Sequence, residues 1–271
     1  MALEIPLYQV DAFVTDKPFS GNPAAVCPLQ DWIDDDLLQG IALENNLSET
    51  AYVVPEGGEG RYRLRWFTPG AEVDLCGHAT LATARVVFSV LNPGLDQVRF
   101  ETRSGPLTVT RGDGDQLSMD FPALHGETCP PDPLLSEALG RAPEQVLGGM
   151  DCMAVYSDPA FVATLNPDMA LLQKLDRRGV IVSAPSDGRD GGGDFVSRFF
   201  APRVGVPEDP VTGSAHCLLA PYWAARLGKN ELDARQLSPR GGRVICRVKG
   251  QRVELIGRVR PFLTGTITLE G

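Results

Sequence analysis

A motif that occurs twice constrains this chain more than any other feature. Arg65-Trp66-Phe67-Thr68-Pro69 leads to Asp74-Leu75-Cys76-Gly77-His78-Ala79-Thr80 and on through Leu81-Ala82-Thr83-Ala84. A looser copy runs from Arg198-Phe199-Phe200-Ala201-Pro202 to Asp209-Pro210-Val211-Thr212-Gly213-Ser214-Ala215-His216. Each copy reads as a strand ending in Phe-x-Pro, a polar loop holding an Asp, and an Ala-rich apolar helix entered through Gly. The wide separation of the copies points to a duplicated domain rather than a solenoid, whose repeats are about 20 to 50 residues long. Glycine lets the backbone approach a ligand closely, and the first N–H groups of a helix point outward with partial positive charge. Such a start receives an anion, for example a carboxylate. One small-residue helix start is ordinary packing; two, each with an Asp and a polar residue at its mouth, read as the two parts of a binding site.

A chain of 271 residues has room for two medium domains, which suits the duplication. With 35 acidic against 25 basic residues, its net charge of −10 repels phosphate backbones and anionic lipid, so nucleic acid and membrane surfaces are not expected partners. No apolar run reaches the length of a membrane span, and Met1-Ala2-Leu3-Glu4-Ile5-Pro6 lacks the basic start and apolar centre of a secretory signal. The 6 cysteines are scattered without a C-x-x-C pair, which argues against zinc and for reduced thiols in a cytoplasmic protein. Metal-ligand spacing and a dinucleotide fingerprint are both missing from the sequence, so no metal and no cofactor are expected. Gly188-Arg189-Asp190-Gly191-Gly192-Gly193-Asp194 is followed by neither Lys-Ser/Thr nor a helix and reads as a flexible connection.

Along the chain, strands and hairpins flank single helices, the pattern of an α+β fold. Residues 4 to 14 alternate as a strand, and Ser20-Gly21-Asn22-Pro23 reads as a turn before a second strand at Ala24-Ala25-Val26-Cys27. An acidic first turn (Asp34, Asp35, Asp36) suits a helix running to about Asn46. On its wheel Ile33, Leu37 and Ile41 form an apolar stripe with Glu44 at the centre, so that carboxylate is expected to point inward and to trade protons near neutrality. Further helices are expected over Gly77–Val90, Asp168–Leu175 and Ser214–Leu227, the last kinked by Pro221, and a strand near Phe161–Leu165. The Pro-rich stretch Pro122–Pro133 marks the crossing between a first domain of residues 1–121, with 262–271 possibly returning to it, and a second of residues 122–261.

Ser20-Gly21-Asn22-Pro23-Ala24-Ala25-Val26, Glu44 followed by Ser48-Glu49-Thr50, Asp74-Leu75-Cys76-Gly77-His78-Ala79-Thr80 and Glu208-Asp209-Pro210-Val211-Thr212-Gly213-Ser214-Ala215 together resemble the PhzF-like isomerases of phenazine biosynthesis, relatives of diaminopimelate epimerase. The resemblance spans residue 20 to about 228, in order. It implies two similar domains, each a barrel-like sheet around a central helix, an active site in the cleft between them, and a homodimer. It also implies Glu44 as the acid/base, with His78, Asp209 and Ser214 completing the polar site. Cys76, Gly77, Ala79, Thr212, Gly213 and Ala215 would line the place of a small anionic metabolite. The thiols depart from the epimerase pattern, because Cys76 stands at the first helix mouth while the second has no Cys and Cys217 comes later, inside the helix. The expected activity is therefore a single-Glu, cofactor-independent proton shift on a small carboxylate. An amino-acid epimerase or racemase using Cys76 and a non-catalytic metabolite-binding or interaction protein are the alternatives.

Overall fold

The computed structural model describes residues 2–130, 132–189 and 192–270, so Asp190 and Gly191 of the expected 188–194 connection lie outside the described residues. The chain divides into two units, Met1–Asp120 with Ile256–Gly271, and Phe121–Leu255. Among the described residues no helix is long and apolar enough to cross a membrane.

In the first unit β1 (Leu3–Ala12) pairs antiparallel with β2 (Asn22–Pro28), and its residues also register against Val259–Leu269. Ser20-Gly21-Asn22-Pro23 is thus the entry into β2. Gly21 stands at φ +82°, where a Cβ would lie 2.4 Å from the Ala12 carbonyl oxygen, so only glycine lets Asn22 take its place. Helix α1 (Asp35–Asn45) is capped by Asp34, whose side chain accepts from the Asp36 N–H. It buries Leu38, Ile41 and Ala42, while Leu37 is 44% exposed. The apolar stripe therefore sits one residue beyond the expected one, and Glu44, which shares the Leu37 flank of the wheel, is exposed rather than inward.

Asn46, at φ 48°, ends α1 in the left-handed conformation and turns the chain into β3 (Glu49–Pro55), which runs parallel to β2 and antiparallel to β4 (Arg61–Phe67). The short β5 (Glu72–Val73) returns along β4 and delivers the chain to α2 (Gly77–Val86). β6 (Gln97–Thr102), β7 (Gly105–Arg111) and β8 (Gln116–Pro122) follow as an antiparallel meander. Every residue of α2 from His78 to Ala84 is buried, and the helix packs against β1, β2, β3 and β7. Small Ala side chains allow that enclosure, and the Thr80 and Thr83 hydroxyls donate to the Cys76 and Ala79 carbonyls at 2.6 and 2.7 Å, so neither is buried unpaired. The expected helix to Val90 ends instead in a π-helical turn, Val87–Leu91.

The second unit repeats the plan more loosely. It comprises β9 (Glu127–Cys129), α3 (Pro133–Leu139), β10 (Gln145–Gly148), β11 (Cys152–Val155), α4 (Pro159–Thr164), α5 (Met169–Leu172), β12 (Val180–Pro185) and β13 (Phe195–Ala201). After these come β14 (Val206–Asp209), α6 (Gly213–Leu227), β15 (Glu231–Gln236) and β16 (Gly242–Lys249), and then β17 (Arg252–Leu269), whose residues from Ile256 onward belong to the first unit. The expected strand at Phe161–Leu165 is helix α4, started by Asp158, whose carboxylate accepts from the Ala160 and Phe161 N–H groups, and by Pro159 in the first turn. Pro221 lies inside α6, where it deprives the Cys217 carbonyl of its helical donor; the Leu124 N–H supplies the bond at 2.9 Å.

Candidate active site

The duplication extends to the ion pairs that hold each approach loop. Arg65, on β4, grips Glu72 through two hydrogen bonds of 2.7 and 2.8 Å, and Arg198, on β13, grips Glu208 with the same two lengths. Such two-point pairs fix orientation as well as distance. Each ties a strand to the short return strand behind it, and so sets the loop that carries Asp74 or Asp209 toward a helix start. The Asp74 carbonyl accepts from the Ser104 hydroxyl at 2.7 Å and the Asp209 carbonyl from the Gln236 amide at 2.8 Å. Neither N-cap residue, Cys76 or Thr212, makes a side-chain capping bond.

In the first unit Gly77 and Ala79 form the first turn of α2 around His78, which is only 4% exposed. Its Nε2 lies 2.8 Å from Oε2 of Glu49, the first residue of β3. Oε2 is itself buried and has no hydrogen bond of ordinary geometry among the described residues. On the other side of the ring, Nδ1 stands 3.1 Å from the Asn22 amide nitrogen and 3.5 Å from the Cys76 sulfur. Burial alone pulls the imidazole pKa down, but Cys76 and the Glu49 carboxylate outweigh it and hold His78 well above its ordinary value. Burial, reinforced by the Glu49 charge, pushes the Cys76 thiol up to about 11, so it stays protonated at neutral pH and Glu49 is the partner that favours imidazolium there. Glu49, Cys76 and His78 bring one potential metal-binding atom each within 4.8 Å of one another. Of these atoms, the imidazole Nε2 is engaged with Glu49 at 2.8 Å. Glu44, exposed on α1, is not among these residues.

In the second unit Asp209 accepts from the Thr212 hydroxyl at 2.5 Å, and Gln236 clamps the same turn by accepting from the Thr212 N–H at 2.9 Å. Gly213, Ser214 and Ala215 open α6, with Gly213 and Ala215 buried. The Ser214 hydroxyl accepts from Arg178 at 3.1 Å, and that guanidinium also binds the nearly buried Asp151 through two hydrogen bonds. His216 points inward: its Nδ1–H donates to the Thr212 carbonyl at 2.8 Å, its Nε2 has no hydrogen-bond partner among the described residues, and burial presses its pKa down to about 4. It is a neutral structural ring. Cys217 is buried with its sulfur on the Gly213 carbonyl, so no thiol stands at this helix mouth.

Sequence reasoning placed His78, Cys76, Asp209, Thr212 and Ser214 at the two helix starts, where they are. It missed Glu49, Asn22, Arg178, Asp151 and Gln236. Glu49 did carry a signal, since it directly precedes an apolar strand, where an acidic residue needs a partner.

Two α+β units with such polar helix starts define an epimerase-like fold, and solved structures share it. The chain superimposes with a TM-score of 0.93 on the crystal structure of a phenazine biosynthesis protein of the PhzF family from Enterococcus faecalis, 45% identical, covering 98% of this chain and 100% of that one. A hydroxyproline epimerase from Agrobacterium vitis, at 11% identity and a TM-score of 0.64, covering 99% of this chain and 93% of that one, shares the fold alone. Residues 10–265 match the family described as phenazine biosynthesis-like protein, and the chain belongs to that family. An uncharacterized isomerase of Pseudomonas aeruginosa is 56% identical over 98% of this chain and 100% of its own length. One of Halalkalibacterium halodurans is 43% identical over 97% of this chain and 98% of its own length.

Proposed function

We propose that the protein is a cofactor-independent isomerase that moves a proton on a small carboxylate-bearing metabolite, with Glu49 as the proton carrier and His78 holding it. The observation that carries this reading is the buried Glu49–His78 contact at the start of α2. The curated relatives named isomerases support the reaction class. Glu49 replaces Glu44 as the assigned base because Glu44 is exposed on α1, whereas Glu49 contacts His78 at 2.8 Å.

The chemistry needs one carboxylate. Glu49 takes a proton from a substrate carbon, the C–H electron pair passes into the system conjugated with the substrate carboxylate, and protonated Glu49 returns the proton to a second carbon of that system. A single group serves both steps when donor and acceptor lie on one face of the substrate. The start of α6, where the Ser214 hydroxyl meets the Arg178 guanidinium, suits the carboxylate, as does the start of α2. A two-thiol racemase is disfavoured because Cys76 is a protonated buried thiol and Cys217 lies inside α6. By family resemblance the working form is a cytoplasmic homodimer, which sedimentation and fractionation would test.

The direct experiment incubates the protein with a panel of small unsaturated carboxylates in deuterated water and analyses products by mass spectrometry and NMR. The expected product is a double-bond isomer with deuterium at the receiving carbon. Label confined to an inverted stereocentre would make the protein an epimerase. Ligand binding without any isomer would favour the non-catalytic alternative.

A further inference from the structure

Ser20-Gly21-Asn22-Pro23 has no role in the reaction as described, yet it places a fully buried side chain against the His78 imidazole. The Asn22 amide nitrogen lies 3.1 Å from His78 Nδ1, and its carbonyl oxygen accepts from the Ser48 hydroxyl at 3.0 Å. Ser48 immediately precedes Glu49, so the two neighbouring residues reach opposite sides of the ring, one directly and one through Asn22. A hydroxyl donor on Oδ1 orients the amide with its N–H toward Nδ1. An Nδ1 that accepts a hydrogen bond carries no proton, and the ring proton of the neutral form must then reside on Nε2, facing Glu49.

We propose that Asn22, oriented by Ser48, is a positioning residue that fixes neutral His78 as the Nε2–H tautomer and opposes its conversion to imidazolium. This inference rests on the Glu49–His78 reading and deepens it. Two partners then pull the ring in opposite directions: the Glu49 carboxylate favours imidazolium, whereas the Asn22 N–H favours the neutral ring. A proton carrier gains from that balance, since a ring locked in either state could not answer a change of charge on Glu49. The Cys76 thiol, 3.5 Å from Nδ1, is the third group at the ring. The strands packed against α2 also carry Glu4, Tyr8 and Asp11 on β1, Cys27 on β2, Tyr52 on β3 and Arg111 on β7. The geometry depends on Gly21, because a side chain there would drive into the Ala12 carbonyl and move Asn22.

The test is long-range proton–nitrogen correlation NMR of the whole chain, whose 3 histidines are few enough to assign with a His78→Gln control. His216 serves as an internal reference of the opposite kind, since its Nδ1 carries the proton toward the Thr212 carbonyl. Above the titration midpoint of His78, its Nε2 is expected to be protonated and its Nδ1 bare. Asn22→Asp places a carboxylate on Nδ1 and should raise the midpoint by about one pH unit or more, with both nitrogens protonated where the parent is neutral. With a substrate in hand, the same variant should lose roughly ten- to a hundredfold in kcat with KM little changed, and its pH profile should move with the NMR midpoint. If Asn22→Asp does not fold, Ser48→Ala carries the test, because it releases the amide and should turn the single tautomer into a mixture. A parent His78 with its proton on Nδ1, or variants that leave tautomer and midpoint unchanged, would overturn the proposal. The NMR readout needs no substrate, so failure to find turnover tests the isomerase reading without touching this one.

Discussion

Cys76 and His78 stand two residues apart at one helix start and differ in what that position does to them. A helix N-terminus lowers a thiol pKa when the sulfur is solvated and faces only positive charge. Cys76 is buried and shares its site with the Glu49 carboxylate, so it goes the other way, to about 11. Cys76 is accordingly expected to resist iodoacetamide at pH 7.5 for hours in the native protein, and Cys76→Ala to keep kcat within about tenfold; rapid, substrate-protected alkylation with loss of turnover would revive the thiol route. His78, Cys76, Asp209 and Ser214 were legible in the sequence because their motif is local and occurs twice. The choice between Glu44 and Glu49 was not local. It turns on which flank of α1 meets β3 and β4, and Leu37, as apolar as Leu38, lies on the exposed side. A helical wheel cannot decide between stripes that differ by one residue, since only the packing partner does.

At the scale of elements, the paired Arg65–Glu72 and Arg198–Glu208 contacts brace the two approach loops. The Arg198 and Glu208 side chains are only 10% and 15% exposed. Removing one partner strands the other charge, so Arg198→Met should destabilise the protein by about 3–5 kcal/mol in urea denaturation, while Arg198→Met with Glu208→Leu should recover much of the loss. Equal instability of the single and double variants would deny the pair its bracing role. Pro221→Ala offers a contrary case: an interior helical proline ordinarily costs ~3 kcal/mol, yet here the substitution should gain less than about 1 kcal/mol, because the Cys217 carbonyl already has the Leu124 N–H. Such a long-range rescue has no sequence signature. α4 was misread for a local reason. Phe161–Leu165 is short and apolar and looks like a strand, but Asp158-Pro159 was a helix start signal outweighed by that run.

For the whole molecule, stability should peak near pH 6.5 and fall on both sides. On the acid side His216 is held neutral, with a pKa of about 4 against an ordinary 6.5, so the unfolded chain takes up that proton first and stability is lost as pH falls through this window. The shift corresponds to about 3 kcal/mol for this one group. His216→Asn, whose amide N–H can still reach the Thr212 carbonyl, should flatten that limb in calorimetric Tm measurements. On the alkaline side the raised His78 contributes stability that is complete below pH 6.5 and lost as pH climbs through its native pKa. The thiols of Cys76 and Cys152, both raised from 9.0 to about 11, add to the loss above pH 9 as the unfolded chain ionises first. A Tm independent of pH between 4 and 6.5, unchanged by His216→Asn, would contradict the assignment of a neutral His216.

The assignment of Glu49 as proton carrier is tested most directly by kcat of Glu49→Gln beside Glu44→Gln, on whichever carboxylate the panel identifies. The amide keeps the shape of each side chain and removes only its proton chemistry. Glu49→Gln should lose at least about a thousandfold while remaining folded, and Glu44→Gln should stay within about twofold of the parent. A folded Glu49→Gln that turns over normally, or a dead Glu44→Gln, would contradict the account.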